Sequence, residues 1–402
     1  MREKPVKIAV IGCGGYAHQL IIRIQTTPLY GEIVAVTSRN VDSEGAQYCR
    51  RHGIQVFQGL DELLARGGFD VVVNPTPIHL HAEITQQCLA AGYPVWMEKP
   101  PVATIQDLDA LHVAAVQAGL PVAVCFNSLY SFRMQQLKSE LIAGVYGRIE
   151  RIKSLGAWVR TDAYFNRNDW GGALKKGDQW ILDGDINNPL AHVVCNGLFL
   201  GGDAQTALAT PVSVEAELYR ANSIESEDTS AIRILTEEGI EILSWLTLAS
   251  ENEIDPITVI ETEQATIRLI NLENVEICWN DGRREFRDHY KENRIEMIEH
   301  LCRAHRGDAA LIGELSTLRA FTLSINAAFE SVGSIVTIPE SSLDTVTVRE
   351  RETQVTIRGM GDILQDAYDR NALFSELQLP WAQKSTVFET KEYTHFPVRF
   401  QS

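Results

Sequence analysis

Val6-Lys7-Ile8-Ala9-Val10-Ile11-Gly12-Cys13-Gly14-Gly15-Tyr16-Ala17 is a short β-branched run that breaks at once into a glycine turn. The residues from His18 to Thr27 follow, with Leu20, Ile21 and Ile24 at helical apolar spacing. Strand, glycine turn and helix in that order form the context a dinucleotide fingerprint requires. Gly12 makes the tight turn and Gly14 lets the backbone approach a pyrophosphate. Ala17 takes the third-glycine position at the helix–strand contact, and Cys13 and Tyr16 complete the binding turn. Phosphates sit at the helix N-terminus, against amide donors and the positive dipole end. A lone G-x-G-x-x-A match is weak; the flanking elements give it weight.

Outward from that turn the pattern alternates. Glu32–Thr37, Phe69–Val73, Tyr93–Met97 and Val122–Phe126 read as strands, and Ser43–His52, Ala82–Ala91 and Ile105–Ala118 as helices. This rhythm predicts a parallel, doubly wound sheet. The end of the second strand usually meets the adenosine ribose, where an acid favours NAD and an arginine a 2′-phosphate. Thr37-Ser38-Arg39-Asn40 carries no carboxylate before Asp42, so Ser38 and Arg39 favour NADP.

The strand ending at Val73 runs into Asn74-Pro75-Thr76-Pro77-Ile78-His79-Leu80-His81, a loop held extended by its prolines. His79 and His81 have no third ligand nearby, so no metal is expected, and a packing or capping role is the simpler reading. The next strand closes in Glu98-Lys99-Pro100-Pro101. Two successive prolines fix φ and remove two donors, so the lysine is held where ligands bind in open α/β sheets.

The 402 residues allow two or three domains, and 45% hydrophobic with 22% charged residues is ordinary for a globular protein. A net charge of −17 and a pI near 5.1 argue against nucleic acid or anionic membrane as partner. The apolar segment Val6–Gly12 is too short for a signal core or a span. Seven cysteines, far apart and without a C-x-x-C pair, suggest neither zinc nor a disulfide scaffold and fit a reducing cytoplasm.

Taken together, the glycine turn, the T-P loop with His81 and Glu98-Lys99-Pro100 resemble the Gfo/Idh/MocA oxidoreductase family, most specifically through its E-K-P motif. The resemblance implies an α/β N-terminal Rossmann domain, residues 1–127. An α+β substrate and oligomerisation domain would follow, residues 128–402, on a large open, mainly antiparallel sheet. The runs Ile149–Ser154, Val212–Leu218, Ala231–Leu235, Ile240–Leu248, Thr258–Glu261 and Ala265–Ile270 agree with such a sheet. On the cofactor side it implies Gly12, Gly14, Ala17, Ser38, Arg39, Pro75, Thr76, His81, Glu98 and Lys99, with Lys99 also facing substrate. A homo-oligomer, dimer or tetramer, is a common arrangement in the family.

The family's second signature, D-x-x-x-H, falls on Asn188-Pro189-Leu190-Ala191-His192, with asparagine where the motif has aspartate. Asn188 and Pro189 are a good N-cap and first-turn pair, which places His192 near a helix N-terminus where the dipole disfavours imidazolium. Asn188 then orients His192 without adding charge. Upstream, Ala163–Gly172 is rich in planar donors and aromatics. With Asn127, the residues Arg160, Tyr164, Arg167, Asn168 and Trp170 are candidate substrate contacts, a surface loop or subunit contact being the alternative. Leu318, Phe321, Thr322, Ile325, Ala328 and Phe329 form a core stripe. His300 and His305 do not share a helix face. Ile338–Trp381 runs past the usual family helix, with no function assigned beyond covering the sheet or a partner.

The expected activity is NAD(P)-dependent hydride transfer at a hydroxyl-bearing carbon of a sugar, polyol or cyclic alcohol. His192 is the base and Lys99 holds the same oxygen, with roles that can exchange. Two alternatives stand beside it: glycoside cleavage through transient sugar oxidation, and a dinucleotide-binding protein without catalysis.

Overall fold

The computed structural model describes residues 4–26, 30–271, 274–288, 293–349 and 351–402. Its first six strands are β1 (Val6–Val10), β2 (Gly31–Thr37), β3 (Gln55–Phe57), β4 (Val71–Asn74), β5 (Val95–Glu98) and β6 (Val122–Cys125). They form one sheet in the order β3-β2-β1-β4-β5-β6, every neighbouring pair parallel. The order reverses between β1 and β4, the switch point of a doubly wound dinucleotide fold. The strands are β-branched and apolar because helices cover both faces of such a sheet; Ile8, Val72, Val95 and Val124 are each fully buried. Helices α1 (Gly15–Thr26), α2 (Glu44–Arg51), α3 (Leu60–Arg66), α4 (His81–Ala90) and α5 (Ile105–Ala118) link them. The first helix starts three residues earlier than its apolar spacing suggests, and the expected end at Thr27 lies outside the described residues.

Beyond Cys125 come α6 (Phe132–Ile142), β7 (Ile149–Ala157), α7 (Asp162–Phe165), the short pair β8 (Lys175–Lys176) and β9 (Gln179–Trp180), and α8 (Ala191–Gly201). Then follow β10 (Pro211–Arg220), β11 (Thr229–Thr236), β12 (Glu241–Thr247), β13 (Ile254–Thr262), β14 (Ala265–Ile270), β15 (Asn274–Trp279) and β16 (Arg284–Arg287). Helices α9 (Asn293–His305) and α10 (Leu315–Val332) precede β17 (Val336–Thr337), the hairpin β18 (Leu343–Arg349) and β19 (Glu352–Ile357), and α11 (Met360–Arg370).

The large sheet runs β16-β15-β14-β13-β7-β12-β11-β10-β17. It is antiparallel except where β7 pairs β12 and β10 pairs β17. The seam at β7 is not a meander: a strand from far upstream inserts between β13 and β12, a pairing local turn chemistry does not encode. Helix α8 covers one face, with Gly197 and Gly201 admitting Ile152 and Ile242 to close range. On a second buried cluster Met360, Leu364, Ala367, Phe374 and Trp381 pack against Leu155, Tyr219, Leu243 and Trp245. The Trp245 indole donates to the Ala372 carbonyl at 2.8 Å. The C-terminal stretch thus covers the sheet from within the same chain.

Two compact units result: Met1–Val102 with Asp107–Phe132 and Tyr290–Leu318, and Ala103–Gln106 with Arg133–His289 and Arg319–Ser402. A single boundary between 127 and 128 does not describe this. Helix α9 packs on α1 and β2 and so belongs to the first unit, because its apolar residues Met297, Ile298, Leu301 and Cys302 are buried there.

Candidate active site

In the first unit, Gly12 has φ +89°, and a Cβ there would sit 3.9 Å from the Ala17 Cβ. A glycine is needed for that conformation, and an alanine fits the contact it faces. The Gly12 amide donates to the Thr37 hydroxyl at 2.9 Å, which fastens the turn to the end of β2. At Gly14 an added Cβ would meet no protein atom within 4 Å, so the backbone there is open to close approach. These features, at the start of the twelve-residue α1, fit a dinucleotide pyrophosphate. Cys13 is buried beneath the turn and Tyr16 exposed on it. Gly45 was not foreseen: a side chain there would lie 1.9 Å from the Cys13 carbonyl oxygen, so α2 can rest on the turn only through a glycine.

At the end of β2 the Ser38 hydroxyl donates to the Asn40 carbonyl at 2.7 Å and lies 3.3 Å from the Ser43 hydroxyl. Ser38 therefore shapes the turn, and Arg39 is exposed on it. Thr76, half-buried after Pro75, donates its hydroxyl to Asn74 Oδ1 at 2.7 Å. His81 is fully buried. Its Nε2 lies 2.7 Å from the Thr76 carbonyl, and its Nδ1 2.9 and 3.1 Å from the carbonyls of Pro100 and Pro101. Both ring nitrogens face backbone carbonyls, and burial lowers the pKa. The ring is a strut joining the T-P loop to the segment that carries Lys99.

Glu98 ends β5, 8% exposed, with its register partner Cys125 on β6. The Tyr16 hydroxyl donates to its Oε1 at 3.0 Å, and the Lys99 amide approaches Oε2 at 3.3 Å. Burial raises the Glu98 pKa, against the pull of the Lys99 charge and the tyrosine. The Arg294 guanidinium bonds the same tyrosine hydroxyl. Sequence reading missed Arg294, which reaches this group only because α9 returns to the first unit. Lys99 is half-buried, joined to Pro100 by a cis peptide bond. Asn127, half-buried, opens the 3-10 turn that follows β6.

In the second unit, α8 begins at Ala191, with Leu190 at its cap and no side-chain capping bond. Asn188 is therefore not the N-cap. Its amide Nδ2 donates instead to Asp183 Oδ1 at 2.6 Å, a charge-assisted bond that turns the side chain toward the carboxylate. His192 remains in the first helical turn, half-buried. Asp183, 4% exposed, also accepts the Gly172 amide at 2.8 Å and the Arg167 guanidinium at 3.1 Å. Arg167 lies over the rings of Tyr164 (4.0 Å) and Trp170 (5.0 Å), and Arg160 over Tyr164 (5.0 Å). Asn168 Oδ1 accepts the Trp170 amide at 3.0 Å, so it shapes the loop.

The candidate residues Arg160, Tyr164, Arg167 and Trp170 thus share one stacked cluster that Asp183 joins to Asn188. Asp183 was not singled out, because its role depends on a fold-back from Gly172. Behind it Asp185 and Glu227 are fully buried. Burial lifts Glu227 to about 8 and Asp185 well above the usual range. A Cβ on Gly184 would lie 1.7 Å from Glu227 Oε1. Among the described residues no three His, Cys, Asp or Glu are grouped to hold a metal, and no helix is long and apolar enough to cross a membrane.

A parallel sheet with the 3-2-1-4-5-6 order and an open glycine turn defines the first unit as a dinucleotide-binding fold. Residues 6–126 match the model described as the oxidoreductase family with NAD-binding Rossmann fold, Gfo/Idh/MocA. Residues 6–126 are thus similar to the NAD-binding domain of the Gfo/Idh/MocA oxidoreductases. A dTDP-3,4-didehydro-2,6-dideoxy-alpha-D-glucose 3-reductase of Actinomadura kijaniata is 28% identical over 205 residues, 50% of this chain and 58% of that protein. A D-glucoside 3-dehydrogenase of Escherichia coli K12 is 28% identical over 149 residues, 37% of this chain and 42% of that protein. The chain spans little more than half the length of the curated relatives it matches first.

Among solved structures, a 3-ketoreductase from Actinomadura kijaniata in complex with NADP and TDP-benzene is similar at a TM-score of 0.68 and 20% identity. The match covers 83% of this chain and 100% of that one. A Bordetella pertussis dehydrogenase in complex with NADH and UDP-GlcNAcA gives 0.67 at 22% identity, covering 81% and 95%. At these identities the likeness shows the fold.

Proposed function

We propose that the protein is an NAD(P)-dependent oxidoreductase that transfers a hydride between the nicotinamide and a carbon bearing a hydroxyl or keto group on a sugar or polyol. The observation that carries the reading is Lys99, set directly after the buried Glu98 at the carboxyl end of β5, in a fold whose glycine turn is open to a dinucleotide. The sugar reductase and dehydrogenase activities named for its relatives support the substrate class. When bound, the nicotinamide supplies the hydride chemistry. Gly12, Gly14 and Ala17 would hold its pyrophosphate turn, with Pro75, Thr76 and Glu98 on the nicotinamide side.

Lys99 stabilises the charge that develops on the substrate oxygen. His192 takes or returns that oxygen's proton as general base or acid. Asn188, held by Asp183, orients the first turn of α8 without placing a carboxylate on the histidine. Arg160, Tyr164, Arg167 and Trp170 offer ring faces and donors to a hydroxylated ring. Arg39 supports a preference for NADP. The seven thiols, all unpaired, support a reducing compartment. Self-association into a dimer or tetramer is part of the proposal, through a surface other than the sheet face α11 covers.

The test is absorbance of reduced nicotinamide across a panel of sugars and polyols, with keto sugars in the reverse direction. Net formation or consumption of NAD(P)H is the expected result. Release of an aglycone without net reduction, or no turnover beside tight dinucleotide binding, overturns the reading. In the His192→Ala variant turnover should fall while dinucleotide affinity holds.

A further inference from the structure

The C-terminal stretch has no role in the chemistry above, yet one part of it is tied to the proposed substrate wall. Solved neighbours that are themselves covered almost whole leave about a fifth of this chain unmatched. The hairpin β18–β19 is a two-stranded ribbon paired from Leu343↔Ile357 to Arg349↔Glu352. Such a ribbon is marginal alone and needs packing elsewhere to be ordered. Its base is fastened to the loop after β12: the Ile357 amide donates to the Ala249 carbonyl at 2.9 Å, and the Gln354 amide group to the Ser250 carbonyl at 3.2 Å.

Its tip end is fastened to α7. The Thr353 amide donates to Asp162 Oδ1 at 2.9 Å, an oxygen that also accepts the Ala163 amide. The Thr161 hydroxyl donates to Glu352 Oε2 at 3.2 Å. Helix α7 is a single four-residue turn, too short to hold itself in water. Two residues past Asp162, that turn carries Tyr164, whose ring lies against both Arg160 and Arg167.

We infer that the hairpin Leu343–Ile357 is a specificity element of this oxidoreductase: through Asp162 and Thr161 it holds α7, and with it the Arg160–Tyr164–Arg167 stack, in the pose that receives the sugar. Asp162 is a positioning residue, and its effect falls on substrate binding. The inference rests on the function proposed above, so its test has one readout that needs turnover and one that does not.

The variants are Asp162→Ala, Asp162→Asn, which keeps the accepting oxygen, and Glu352→Gln as a milder change at the second tie. With the sugar that turns over best, Asp162→Ala should raise KM about tenfold, the size expected for one or two lost hydrogen bonds. Its kcat should stay within about twofold and its dinucleotide affinity unchanged, while Asp162→Asn restores most of the KM. Hydrogen exchange on the full-length protein should show faster exchange of the amides of residues 163–167 in Asp162→Ala alone. An unchanged KM with unchanged exchange overturns the inference. So does a joint fall of kcat and dinucleotide affinity, or an Asp162→Asn variant as impaired as Asp162→Ala. If the parent turns over no sugar, the proposed function fails, and the exchange readout still decides whether the hairpin orders α7.

Discussion

Two buried carboxylates, one in each unit, are held in opposite ways. Glu98 sits among neutral donors, the Tyr16 hydroxyl and a backbone amide, with Lys99 beside it in sequence. Asp183 is paired directly with Arg167 and takes two further donors from Gly172 and Asn188. The first arrangement joins the end of β5 to a tyrosine 82 residues upstream. The second is gathered from residues 167–188, and removing its central charge strands a guanidinium. The contrast is between a carboxyl set beside a lysine and a carboxylate that fastens an arginine-bearing loop.

That difference is most severely tested at Lys99. Lys99→Ala should lower turnover by roughly 10³-fold or more, the scale of losing a group that handles transition-state charge. Dinucleotide affinity, measured by fluorescence titration, should change only a few-fold. Undiminished turnover removes the lysine from the mechanism.

The opposite behaviour is expected at Asp183. Asp183→Ala should cost about 2–4 kcal/mol of stability in denaturant titration, because Arg167 and the Asn188 amide lose their partner together. A variant as stable as the parent breaks the comparison.

Acidity sharpens it further. Burial lifts Glu227 to about 8, above its ordinary 4.5, so the folded chain keeps a proton that the unfolded chain releases. Stability from this group is full below about pH 4.5 and is lost as pH rises to about 8. Glu227→Gln should flatten that part of the pH–stability curve by on the order of 5 kcal/mol. Parallel curves for parent and variant would show the group ionised in the fold.

The smallest effect concerns the cofactor. Arg39→Ala should raise KM for NADP about tenfold and leave KM for NAD nearly unchanged. Equal shifts for both remove the 2′-phosphate contact.

Much of the first unit was legible because each of its signals is local. The glycine turn demands a positive φ at Gly12, an apolar β-branched run must be a buried strand, and the successive prolines fix the exit after Lys99. Arg294 was invisible because α9 reaches the first unit from nearly two hundred residues downstream of β5. In the second unit, composition marked out the aromatic and arginine-rich loop, but not Asp183, Gly184 or the insertion of β7 beside β12.

Sequence alone determined the dinucleotide fold, the place of Lys99 and the position of His192 near a helix start, since φ preferences and apolar periodicity act over a few residues. Only the tertiary structure decided that Asn188 serves Asp183 rather than a helix cap, and that the C-terminal chain covers its own sheet and ties its hairpin to α7. The first is a choice of partner 5 residues away and the hairpin tie a pairing across 191 residues, and neither is written in apolar periodicity or in a residue's φ preference.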